Sequence, residues 1–67
     1  MNLDLHGIKH QDVKRIVEDH IFKFDAPYQI ITGNSERMKQ IVMDILDSHD
    51  FKYVIWTSNL GSISVIG

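Results

Sequence analysis

The chain has no cysteine. That excludes disulfide staples, thiol nucleophiles, cysteine-ligated zinc and dithiol redox chemistry. A domain this small outside the cell usually needs such staples, so their absence favours the cytoplasm. Proline and alanine occur once each and glycine four times in 67 residues, which excludes collagen-like and low-complexity chains. Positive charge is not in excess: seven Lys plus Arg face nine Asp plus Glu, a formal net charge of -2. A protein that coats nucleic acid by charge alone is thereby excluded, although a local basic patch is not. No apolar run approaches the roughly 20 residues that span a bilayer. Residues 1–6 lack the basic and apolar regions of a signal peptide, so no membrane role is expected.

What remains is ordinary for a single globular domain, with 43% hydrophobic and 24% charged residues. A chain of about 60 residues buries only about 60% of its unfolded surface, so stability is marginal. Self-association would help, and a monomer or weak homodimer is expected. Ile and Val dominate the apolar set, which suits a sheet covered by helices.

The segments alternate in type. Residues 2–6 alternate polar and apolar, as a short strand does, with Leu3 and Leu5 on one face and Asp4 and His6 on the other. Gly7 breaks the strand. Residues 11–24 place Val13, Ile16, Val17, Ile21 and Phe24 in one helical stripe, ended by Asp25-Ala26-Pro27. Residues 28–32 are rich in strand formers, and Gly33-Asn34 signals a turn. Asn34 or Ser35 then caps a second helix over residues 36–49, with Met38, Ile41, Val42, Ile45 and Leu46 as its stripe. Residues 51–56 and 62–66 read as a final strand pair around a turn at 58–61. The order β-α-β-α-β-β predicts an α/β two-layer sandwich, a four-stranded mixed sheet with both helices on one face.

In such folds ligands collect at the carboxyl ends of parallel strands. If the first two strands are neighbours, Asp4, His6 and the 32–35 turn share one edge. His6 is an imidazole suited to proton transfer. Asp4 faces the same way and can orient it or bind a metal. The helix start at Asn34-Ser35 offers backbone N–H groups and the positive end of the helix dipole, with Arg37 and Lys39 nearby. The combination suits a phosphodiester. By itself, Asp-x-His is a weak signal, and the Gly33-Asn34-Ser35 turn is by default a helix cap. His10 reads as exposed, His20 as a half-buried structural residue on the apolar stripe, and His49 as a cation in the last helical turn. Ile31, Val54 and Trp56 fall on the open face and form a candidate apolar patch.

Leu3-Asp4-Leu5-His6-Gly7 resembles the opening motif of the small MutS-related (Smr) domain. Ile30-Ile31-Thr32-Gly33 is similar to that family's second motif, Met38-Lys39 to the start of its second helix, and the run from Gly61 to Ile66 to its closing strand. The resemblance covers nearly the whole chain in order. It implies a fold similar to the C-terminal domain of translation initiation factor 3. It also implies a nicking or RNA-cleaving endonuclease, or else a nucleic-acid or ribosome-binding module. Asp4 and His6 match the Asp-x-His implicated in cleavage, Gly7 the motif glycine, and Thr32 and Gly33 the start of the phosphate-binding turn. This chain departs from the pattern at Ser35, where the family has a second glycine, and at Asn34, where it often has lysine.

The leading expectation is therefore an endonuclease acting on RNA or DNA. His6 is the acid–base group and Asp4 its orienting partner. Gly7, Thr32, Gly33, Asn34, Ser35, Arg37 and Lys39 form the expected nucleic-acid and phosphate-binding set. Two routes exist. A ribose 2′-OH attacks without a metal, or a water activated by a divalent ion such as Mg or Mn attacks either nucleic acid. The first is preferred, since one Asp and one His make a thin ligand set. The alternatives are a non-catalytic nucleic-acid or ribosome-binding module and a protein-interaction domain.

Overall fold

The computed structural model describes residues 1–55 and 61–67. Its elements run β1 (Leu3–Asp4), α1 (His10–Lys23), β2 (Tyr28–Ile31), α2 (Glu36–Ser48), β3 (Tyr53–Val54) and β4 (Ser62–Val65). This is the expected α+β order. Trp56 and most of the 58–61 turn lie outside the described residues.

The sheet order is β1-β2-β4-β3. β1 runs parallel to β2, pairing Leu3 with Ile30 and Asp4 with Ile31. β4 runs antiparallel to both β2 and β3, so it separates two strands that share one direction. The pairs Tyr28–Val65 and Ile30–Ile63 turn toward the helices, and Gln29–Ser64 and Ile31–Ser62 turn to the open face.

The helices form because their apolar residues recur at the helical period. Val13, Val17 and Ile21 of α1 and Met38, Val42, Ile45 and Leu46 of α2 are buried, and they meet Leu5, Tyr28, Ile30, Ile63 and Val65 in one core. α2 starts at a real cap: Ser35 Oγ accepts the Met38 N–H at 3.1 Å. α1 starts on Lys9 with no side-chain cap. α2 ends with Asp50 at φ 59°, the left-handed residue that commonly closes a helix, and the Phe51 N–H returns to the Leu46 carbonyl at 2.9 Å.

Two histidines tie elements together. His20 is more deeply buried than its half-buried expectation: it sits against Phe24 and Tyr28, and its Nε2 donates to the Met1 carbonyl at 2.8 Å. His49 caps α2, and its Nε2 lies 2.9 Å from Glu18 of α1. His10 is exposed, as expected.

Three local expectations change. β1 is paired only at Leu3–Asp4, because Asp4 Oδ1 takes the His6 N–H and starts the turn out of the strand. β3 is likewise limited to Tyr53–Val54. The apolar patch is interrupted. Inserting β4 sets Ser62 beside Ile31 and Ser64 beside Val54, so polar side chains separate the two apolar ones.

Candidate functional site

The β1–β2 register builds the site. Asp4 stands beside Ile31, so His6 and Gly33, each two positions further on, come out side by side. The Leu5 N–H donates to the Ile31 carbonyl at 2.9 Å and keeps the strands together past the formal end of β1. His6 and Gly7 form the middle of a turn closed by the Ile8 N–H on the Leu5 carbonyl at 3.1 Å. Gly7 has φ 77°, the left-handed conformation that glycine adopts freely, and no atom lies near its missing Cβ. Its role is the turn.

His6 is held from one side by Asp4. The Asp4 Oδ1 accepts both the His6 backbone N–H at 2.9 Å and Nδ1 at 2.8 Å. An ionised carboxylate only accepts, so Nδ1 carries the proton and Nε2 of the neutral ring is the free lone pair. The two His6 bonds, the backbone one foremost, hold the Asp4 carboxyl below its ordinary 3.8. Nε2 points at the second turn: a Cβ on Gly33 would meet it at 3.0 Å. The Asp4 and His6 side chains are 62% and 65% exposed, so a macromolecule can reach them.

The turn from Thr32 to Ser35 is locked from β4. The Gly61 carbonyl accepts the Thr32 N–H at 2.8 Å, the Gly33 N–H at 3.0 Å and the Thr32 hydroxyl at 3.3 Å. Thr32 is buried, and Gly33 holds φ 68°. Gly61 was missed as a site residue by sequence reasoning. Its role follows from β4 lying next to β2, which puts Gly61 across from Thr32 one step beyond the Ile31–Ser62 pair. The Thr32 and Gly33 N–H groups are therefore spent inside the protein. Among the described residues, the Asn34 and Ser35 N–H groups are the donors this turn has left, at the positive end of α2.

The two expected cations part company. Arg37 is exposed in the first turn of α2. Lys39 is folded in, its side chain 8% exposed and its Nζ 3.6 Å from Glu36. Lys9 is exposed at the start of α1, just beyond the His6 turn, and was not singled out from the sequence.

Asp4 Oδ1 is occupied by His6 itself, and among the described residues no group of three or more His, Cys, Asp or Glu converges on a point. No helix among the described residues is long and apolar enough to cross a membrane. Comparison with protein-family models, with curated proteins and with solved structures finds no match to this chain.

Proposed function

We propose that the domain binds nucleic acid and cleaves RNA at the edge formed by His6 and the Gly33 turn. One observation carries the reading: an exposed imidazole whose Nδ1 is bonded to Asp4 directs Nε2 at a turn that opens a helix. That is the arrangement a general base needs beside an anion site. A phosphate at Asn34 and Ser35, with the exposed Arg37 of the first turn of α2 as a candidate counter-charge, would then lie within reach of Nε2. His6 then takes the 2′-OH proton, the 2′-oxygen bonds to phosphorus, and the P–O5′ bond breaks. The leaving 5′-oxygen takes the proton back from the imidazolium. Products are a 2′,3′-cyclic phosphate and a free 5′-hydroxyl.

The test uses labelled RNA and DNA with and without chelator. RNA is cut, DNA is not, and chelator changes nothing. His6→Ala lowers the rate by about 10²-fold or more, and Asp4→Ala by less. Cleavage that persists in both variants removes these residues from the mechanism. A second reading, nucleic-acid binding without turnover, is favoured by the Gly61 bonds that consume two turn donors and by the burial of Lys39. Salt-sensitive binding with no product selects it.

A further inference from the structure

Asn2, Asp4 and His6 are all exposed and alternate along the outer face of the first strand segment. At about 3.3 Å per extended residue, Asn2 stands at most about 13 Å from His6, a distance that two extended nucleotides cover. Asn2 borders a shallow pocket of about 280 Å³ on the same face. Pro27 and Ile66 give it apolar walls, and Asn2, Gln29 and Ser64 give it a polar rim. At the low end of ligand-pocket sizes, it suits one flat ring system with apolar faces and a polar edge.

The rim has a definite polarity. Asn2 Oδ1 accepts the Gln29 backbone N–H at 2.9 Å. Gln29 Oε1 accepts the Ser62 hydroxyl at 3.3 Å. Both amide oxygens are spent inside the protein. Among the described residues, no partner takes the two amide NH₂ groups, so the rim presents donors. Uracil, with two carbonyl oxygens and no amino group, complements donors, whereas adenine, cytosine and guanine each bring an amino group of their own.

We propose that this pocket is a base-recognition subsite for uracil, in the same strand whose phosphate lies at His6. The proposal rests on the nucleic-acid reading above. It makes the open sheet face a track, with selection by base at one end and chemistry at the other.

The experiment measures binding and cleavage of short labelled oligouridylate, oligocytidylate and oligoadenylate by the full chain, and by Asn2→Asp and Gln29→Glu. Each variant keeps the oxygen that accepts the internal bond and deletes only the NH₂ donor. The added carboxylate repels every phosphate backbone alike and opposes uracil's carbonyls at the rim, so the ratio between oligomers is the readout. Oligouridylate is expected to bind about tenfold tighter than oligoadenylate, with the ratio falling toward one in the variants. Equal binding of all three by the native chain, or a preference that survives both variants, overturns the subsite and leaves the His6 reading standing. No binding of any oligomer overturns both.

Discussion

His6 has a defined orientation because Asp4 bonds it twice, through backbone and ring. The consequence for pH follows from Asp4. Its carboxyl titrates below the ordinary 3.8, so the folded state binds its proton less readily than the unfolded chain does. The stabilisation is fully present above the ordinary carboxylate value and is lost as pH falls through the lowered one. Carbon NMR should find Asp4 titrating below the ordinary value in the native chain and moving back toward it in His6→Ala. Equal values in both chains would contradict the ring bond, since His6→Ala keeps the backbone one. Gly33 is the second residue with a particular duty. At its φ of 68° a side chain is strained, and an added Cβ would meet His6 Nε2 at 3.0 Å, so the ring would have to shift. Gly33→Ala should cost about 1–2 kcal/mol in chemical denaturation from backbone strain alone, and should shift the His6 ring resonances. An unmoved His6 spectrum would place the ring elsewhere.

At the scale of elements, Ser35 has a definite structural duty. A glycine there would free the backbone, whereas Ser35 caps α2 through Met38 N–H. Ser35→Ala should destabilise the domain by about 1 kcal/mol in urea melts. No change would mean the cap is unnecessary. Both helices and the direction of every strand were legible, because the Val13–Val17–Ile21 and Met38–Val42–Ile45 stripes and the strand alternation are local patterns. The lengths of β1 and β3 were not, since pairing ends where a neighbour's side chain or turn intervenes. Lys39 shows the same limit. Its number placed it beside the α2 cap, yet its phase on the helix puts it with Met38 and Val42 on the buried side. A lysine stem lies along an apolar surface readily, and the ammonium then sits 3.6 Å from Glu36.

The whole molecule rests on a small core in which β4 is central. Ile63 is fully buried between the helices and Ile30, whereas Ile66 is 55% exposed. Ile63→Ala should cost about 2–5 kcal/mol, enough to unfold much of a domain this size. Ile66→Ala should stay within about 0.5 kcal/mol. Similar midpoints for the two variants would show that β4 does not anchor the core.

The periodicity of the chain determined the element order, the helix faces and the pairing of Asp4 with His6 on one side of a strand, because these depend on residues within a few positions of one another. It also pointed to the meeting of His6 with the Gly33 turn, conditional on β1 and β2 being neighbours. Only the folded arrangement decided the insertion of β4 between β2 and β3. That insertion makes Gly61 the lock on the turn, consumes the Thr32 and Gly33 donors, and divides Ile31 from Val54. Strand order depends on which surfaces bury best together across the whole chain, and no local pattern encodes it.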